Sequence, residues 1–462
     1  MNLERCNIYL NYLLNKLNME SLDTELLLKV IKVMLEFIDE NILQIMYTDL
    51  YIYVYENAYN NFYNEYIDKK ILENIYKISK EDSELLLNNY IELGLSLVFK
   101  YVIPKRSYSK SHILINNKGN LRIGEQIVKL QNIIQPEQRS DEWYIFRNST
   151  LTASNIYKIF VSDYSQTQLI LEKCEPLDVN KFKVTNTNSP MHWGQKYEPV
   201  SILYYEYINN TKVSEFGCIP HSEYSYIAAS PDGIVCDSNS KLFGRMLEIK
   251  NVVSREITGI PKMEYWIQMQ LQMEVCNLNE CDFLEMKFIE YTNEEEYLDD
   301  NDVKYKGIIL QYLKEESPYY VYAPFMLNDL NSESYKAWED NEKNKNKDYE
   351  FIKRIYWKIE KISNILVLRN KLWFKNIQPL IEDFWNILVY ERESGKYKER
   401  QKNKRKLQIE DEKSRSDFPV GGCLIDNSLF KTDVSKNNCL IDNSLFKTEE
   451  NLVLNIDTEI SS

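Results

Sequence analysis

The sequence predicts a mixed α/β (α+β) core set between a helical N-terminal region and a polar C-terminal tail. Three observations carry this. Apolar residues recur at three- and four-residue steps near the N-terminus, at Leu26, Val30, Val33, Met34 and Phe37. From residue 131 to about 300, where Trp, Gly, Pro and His cluster, helix-like and strand-like runs alternate, the pattern of a sheet flanked by helices. Beyond residue 406 the chain becomes acidic and repetitive.

Residues 1–130 read as a helical accessory region, rich in Tyr, Asn and Leu and without a catalytic constellation. Residues 131–395 read as the functional domain. Within it, Glu142–Arg147 and Ser154–Phe160 are expected as short helices and Gln195–Ile208 as a longer one. Gly233–Asp237 and Leu242–Lys250 are strand candidates with Ser238-Asn239-Ser240 as their turn. A helix over Tyr265–Cys276 and a strand over Phe283–Tyr291 follow. Residues 300–395 return to helical periodicity and read as a helical extension, with Trp338, Trp357, Trp373 and Trp385 as core. Residues 396–462 read as a basic linker and a disordered tail. The run Lys396, Lys398, Arg400, Lys402, Lys404, Arg405 and Lys406 suits a localisation signal, a DNA-backbone contact or a solvated helix end equally. The ten residues from Cys423 to Thr432 recur as Cys439 to Thr448. That is either a bivalent docking element or a neutral duplication.

The chain has 462 residues, enough for two or three domains. No apolar run is long enough to span a bilayer, so no membrane partner is expected. Glu4, Arg5, Asn7 and Asn11 break any signal-peptide pattern. The eight Cys are scattered with no C-x-x-C pair, which argues against a zinc ribbon or disulfide framework and for an intracellular setting. With only three His (His112, His192 and His221), metal chemistry must rest on carboxylates. The net charge of -14 gives no support for a nucleic-acid partner, yet does not exclude one. The segment 407–462 alone holds 11 acidic against 5 basic residues, so part of that charge lies away from any core.

The informative stretch is Ala228-Ala229-Ser230-Pro231-Asp232-Gly233, followed by Leu247-Glu248-Ile249-Lys250. With Ser238–Ser240 as the tip of a hairpin, opposed residue numbers sum to about 479. Asp232 then falls opposite Leu247 or Glu248, and a one-residue correction brings both carboxylates to one face. Lys250 shares the face of Glu248 because strand side chains alternate. Two close carboxylates repel unless neutralised, and Mg²⁺ or Mn²⁺ suits oxygen ligands such as these and the Ile249 carbonyl. Such a cation lowers the pKa of a bound water and polarises a phosphoryl oxygen. Lys250 can orient or deprotonate that water. The same spacing also suits a surface hairpin with an ion pair. Glu198 reads as a third carboxylate or as a first-turn Glu. Tyr265, Gln268 and Gln272 share one helix face, where Gln268 reads as holding a water or the attacked phosphate, or as an ordinary exposed helical Gln. Arg147 with the apparent helix start at Thr152-Ala153-Ser154 makes a phosphate pocket, or a capped helix beside a surface Arg.

Four blocks in order resemble the YqaJ-type viral recombinases, relatives of phage lambda exonuclease among the PD-(D/E)xK nucleases. They are Arg139-Ser140-Asp141-Glu142-Trp143-Tyr144 with Arg147 and Thr152-Ala153-Ser154; Gly194-Gln195-Lys196-Tyr197-Glu198-Pro199; Ser230-Pro231-Asp232-Gly233 with Glu248-Ile249-Lys250; and Tyr265 with Gln268-Met269-Gln270 and Met273. They span residues 138–292. The resemblance implies a restriction-endonuclease-like core with a mixed central sheet. It implies Asp232, Glu248 and the Ile249 carbonyl as metal ligands and Lys250 as the catalytic lysine. Glu198 and Gln268 would be further active-site residues, and Arg147, Ser154 and Ser230 would hold a terminal 5'-phosphate. The implied activity is Mg²⁺-dependent 5'-to-3' digestion of duplex DNA in viral recombination, repair or genome processing. A single-strand annealing protein and a homo-oligomer are the implied partners. An endonuclease or DNA/RNA nuclease of the same fold, and a non-catalytic scaffold, are the alternatives. Residues 1–130 and the tail have no counterpart in the short phage enzymes.

Overall fold

Local signals at the N-terminus produce helices α1 (Ser21–Asn41), α2 (Leu50–Phe62), α3 (Ile71–Tyr76) and α4 (Lys80–Tyr101) in the structure, a computed structural model. It describes residues 21–109, 120–136, 138–178, 186–315 and 317–400. The side chains of Asp49 and Ser79 accept backbone N–H groups and start α2 and α4. Helical spacing gives each of the long helices one apolar stripe: Val30, Met34 and Ile38 on α1, Val54 and Ala58 on α2, and Leu87, Ile91 and Leu95 on α4 are all buried. These side chains join one continuous core with residues of the sheet and of the C-terminal helices. Arg106, just past α4, fastens this region down. Its buried guanidinium donates to the carbonyls of Ile45, Met46 and Pro261, and its own carbonyl accepts from the Trp266 indole.

Strand β1 (Tyr108–Ser109), helices α5 (Asn120–Asn132) and α6 (Asp141–Ser149), strand β2 (Leu151–Thr152), and helices α7 (Asp163–Cys174) and α8 (Pro190–Asn209) come next. Short strands β3 (Val213–Ser214), β4 (Ile219–Pro220), β5 (Ile227–Ala229) and β6 (Gly233–Val235) precede β7 (Met246–Val252), helix α9 (Met263–Cys276) and β8 (Glu280–Glu290). The main sheet runs β10-β9-β11-β8-β7-β6-β3, where β9 is Lys306–Lys314, β10 Ser317–Tyr322 and β11 Glu350–Leu368. β7 and β8 pair in parallel with α9 as their crossover, and the other pairs are antiparallel. A second small sheet runs β2-β5-β4.

Alternation along the strands separates two apolar faces. Ile234, Met246 and Phe283 enter the core that contains α9, whereas Val235, Leu247 and Leu284 enter the core that contains Tyr197, Val200 and Tyr205 of α8. The sheet is therefore covered by a helix on each side, as the α/β expectation required.

Three expectations need correction. Residues 300–395 are not a helical extension. β9, β10 and β11 lie there, beside α10 (Glu294–Asp299), α11 (Glu333–Lys345) and α12 (Lys371–Ser394). The strands are dense in Ile, Val, Leu, Tyr and Trp, which favour a pleated, half-buried surface over a helix. The Trp side chains do pack as core: Trp357 and Trp373 are buried, and Trp338 and Trp385 pack against buried clusters. The hairpin strands are shifted too, ending at Val235 and beginning at Met246, because turns occupy the intervening residues. Finally, no helix begins at Ser154. A turn leads instead into a single 3₁₀ segment, Ile156–Phe160. Among the described residues no helix is long and apolar enough to cross a membrane. Lys396, Lys398 and Arg400 fall among the described residues, but Lys402 to Lys406 and both copies of the duplicated motif lie outside them.

Candidate active site

Strand pairing sets the centre of the site. Gly233 pairs with Leu247 and Ile234 with Met246, so opposed numbers sum to 480 and Asp232 is carried to the level of Glu248. A Cβ at Gly233 would lie 2.1 Å from Val213 Cγ1, so only glycine lets β3 approach β6 at this point. Asp232 Oδ2 accepts the Ile249 backbone N–H at 2.6 Å. That contact uses the N–H of Ile249 and leaves its carbonyl uninvolved.

Glu248 is fully buried and satisfied on both oxygens. Oε1 accepts from Lys250 Nζ, and Oε2 accepts from Gln272 Nε2 at 2.7 Å. Gln272 also donates to the Ser230 carbonyl at 3.2 Å, which ties α9 to the segment before Asp232. Lys250 Nζ lies 5.0 Å above the Tyr265 ring, and Arg255, ion-paired with Glu285, approaches the same ring from 5.5 Å. Glu198 reaches the cluster from α8 and pairs with Arg139 at 3.5 Å. Asn251 holds α8 in place by donating to the Gly194 carbonyl at 3.1 Å and accepting from Ser201 at 2.7 Å.

The electrostatics follow from this crowding. Burial, then the charges of Glu248 and Glu198, push the Asp232 carboxyl well above its ordinary range. Burial also raises Glu198, opposed by Arg139 and reinforced by Glu248. Burial works to lower the Lys250 ammonium, but Glu248 and Asp232 outweigh it and hold its pKa above the ordinary lysine value. Three carboxylates thus face one lysine and one half-exposed arginine, so the donor set is oxygen-rich and short of positive charge. Its chemistry fits a hard divalent cation. Among the described residues, no group of three His, Cys, Asp or Glu side chains is already gathered to hold one.

A second group stands beside the first. Arg147 Nη2 donates to Ser154 Oγ at 3.1 Å, and the guanidinium lies 4.3 Å over the Trp143 ring. A turn closed by Asn155 N–H to the Thr152 carbonyl presents Ser154. The Ser230 hydroxyl is buried with the Cys218 thiol as its polar neighbour and no oxygen or nitrogen partner, and the Trp143 indole N–H is unsatisfied. Unpaired buried donors next to a half-buried guanidinium are the makings of an anion site.

Of the residues singled out from the sequence, Asp232, Glu248, Lys250 and Glu198 come together, as do Arg147, Ser154 and Ser230. Gln268 is half-buried and makes no side-chain hydrogen bond to the described residues, whereas Gln272, one turn later, touches Glu248. Gln272 and Asn251 were not singled out for these contacts. The shared helix face of Tyr265, Gln268 and Gln272 was the one signal for the former. Gln272→Leu should leave Glu248 Oε2 buried and unpaired, at a cost of about 1–3 kcal/mol. Urea denaturation checks this, and an unchanged midpoint would show that the contact contributes nothing.

Residues 142–279 match the family model of the YqaJ-like viral recombinase domain. Uncharacterized protein R354 of Acanthamoeba polyphaga mimivirus is 31% identical in an alignment 344 residues long that covers 64% of this chain and 59% of that protein. The match thus spans under two thirds of the relative's length. Among solved structures, the alkaline exonuclease LHK-Exo from Laribacter hongkongensis matches 57% of this chain and 99% of its own, at 19% identity and a TM-score of 0.32. A phage-related exonuclease from Haemophilus somnus 129PT matches 52% and 96%, at 13% identity and a TM-score of 0.29. The segment from α6 through α9, which carries Arg147, Asp232, Glu248 and Lys250, is the part of the chain that matches the YqaJ-like viral recombinase domain.

Proposed function

We propose that this protein is a divalent-metal-dependent deoxyribonuclease that digests one strand of duplex DNA from a 5' end. The observation that carries the reading is the shared segment Ser230-Pro231-Asp232. Ser230 belongs to the anion pocket and Asp232 to the carboxylate cluster, and two residues of chain span at most about 7 Å. Neighbouring phosphates of one strand can therefore occupy both places together. Asp232, Glu248 and the Ile249 carbonyl would hold Mg²⁺ or Mn²⁺, which when bound supplies an acidified water and neutralises phosphoryl charge. Lys250, held protonated by its carboxylate neighbours, orients the water and stabilises charge as the phosphorus is attacked. Gln272 fixes the rotamer of Glu248. Arg147, Ser154 and Ser230 bind the terminal 5'-phosphate and so set where along the strand the cut falls.

The test is incubation of end-labelled linear duplex and covalently closed circles with Mg²⁺. Linear DNA should be degraded and circles spared, and efficient cutting of circles would establish an endonuclease instead. Arg147→Ala should lower the preference for phosphorylated over hydroxyl 5' ends by about tenfold or more, the loss of a charge-assisted bidentate contact. Competition between the two kinds of end measures it, and an unchanged preference would remove Arg147 from the pocket.

A further inference from the structure

The last turn of α6 carries Arg147, and its carbonyls end against two cations. Lys173, on α7, is 4% exposed, and its Nζ donates to the Arg147 carbonyl at 2.5 Å. Arg392, on α12, donates to the Lys173 carbonyl at 2.8 Å and to the Asn148 carbonyl at 3.4 Å. Carbonyls at a helix C-terminus lack intrahelical donors, so cations are favoured there. That explains the place of Lys173 but not its charge. The groups that face it are Arg147 from α6, Lys158 from the 3₁₀ segment, Arg392 from α12 and its own neighbour Glu172. The Cys218 thiol lies near as well. Glu172 is the one carboxylate in this set, is exposed, and bonds to Lys158 at 2.7 Å. A buried ammonium among cations is costly unless an anion arrives. The buried Ser230 hydroxyl, which has the Cys218 thiol beside it and no hydrogen-bonding oxygen or nitrogen partner, independently marks a place for an anion, and the same thiol lies against Arg147.

We propose that Lys173 is a positioning residue for the terminal phosphate: its protonated ammonium fixes the last turn of α6 and so aims Arg147, and the phosphate bound by Arg147 in turn keeps Lys173 protonated. This rests on the reading of Arg147, Ser154 and Ser230 as the phosphate pocket.

A pH dependence follows. Burial above all, with Arg147, Lys158 and Arg392 reinforcing it against Glu172, brings Lys173 down to about 8 in the free protein. Below that pH the ammonium is in place before the DNA end arrives. Above it, binding a phosphorylated end must take up a proton, so affinity falls by up to about tenfold per pH unit. Ends without the phosphate carry no such penalty.

The experiment uses the full chain in EDTA, where binding is read without cleavage. Fluorescence anisotropy compares one duplex with a 5'-phosphate and the same duplex with a 5'-hydroxyl, from pH 7 to 9.5. The wild type should favour the phosphorylated end at pH 7 and lose the advantage as pH rises. Lys173→Met should lack both the advantage and its pH slope while binding hydroxyl ends as the wild type does. Lys173→Arg, charged throughout, should keep the advantage and lose the slope. A Met variant that retains both would overturn the proposal, as would a slope that survives in the Arg variant, which decides the matter if the Met variant does not fold. A wild type indifferent to the phosphate at pH 7 overturns the pocket itself, an outcome distinct from either.

Discussion

Lys250→Ala is expected to slow phosphodiester hydrolysis by about a hundredfold to a thousandfold, the usual consequence of removing one preorganised donor from developing charge. Asp232→Ala and Glu248→Ala should remove activity as completely, because each takes a charge from the same small cluster. The structural cost of the lysine substitution is limited. The Lys250 side chain is 26% exposed at the mouth of the site, and Glu248 keeps its bond from Gln272. Strand β7 remains paired with β6 and β8 through its backbone. The check is single-turnover cleavage of labelled linear duplex, with circular dichroism to establish that the variant is folded. A folded Lys250→Ala protein that cuts at the wild-type rate would end the assignment of Lys250 to catalysis, and the scaffold reading would then gain over the enzyme reading.

The hairpin around Asp232 shows what sequence reasoning can reach. Strand alternation and a turn signal placed Asp232, Glu248 and Lys250 on one face and missed the register by one residue. The error lies in the turn. Ser238–Ser240 is a turn, but it belongs to a longer loop closed by Gly244 at φ +83, and nothing in a polar loop announces its length. Helices α6, α8 and α9 were found within a few residues, since their caps and periodicity are local. β9 and β11 were not, because an apolar run with frequent Lys and Glu matches a helical period as well as a strand's until its partners are known. Pairing of β11 with both β8 and β9 decides the matter, and that is tertiary information. The same limit hid Gln272. On sequence it differed from Gln268 by one helical turn, and only the burial of Glu248 beneath α9 reveals which amide is needed.

Arg245→Met is expected to destabilise the fold by about 3–5 kcal/mol, the cost of stripping a buried carboxylate of its cation. Arg245 immediately precedes β7 and is 3% exposed. Its Nε donates to Glu280 at 2.8 Å and its Nη1 to Asp282 at 2.7 Å, both on β8. Asp282 is equally buried, and its other oxygen accepts from Tyr205 of α8 at 2.8 Å. Without the guanidinium, Asp282 must either stay charged with one neutral partner or take up a proton, and both are unfavourable at neutral pH. Urea denaturation should show a lower midpoint at unchanged slope. Replacing Asp282 by Leu in the same chain should recover much of the loss, because the carboxylate then left without Arg245 is the partly exposed Glu280 and not the fully buried Asp282, and the double-mutant cycle isolates the Arg245–Asp282 pairing. A single substitution costing under about 1 kcal/mol would show that water or another cation already serves Asp282. Catalysis offers a separate reading of the same variant. Asp282 pairs with Leu247, one residue before Glu248, so the ion pair holds β7 against β8 at the edge of the site without entering it. Activity per folded molecule should therefore stay near wild type, and a variant of normal stability but lost activity would place Arg245 among the groups that act on DNA.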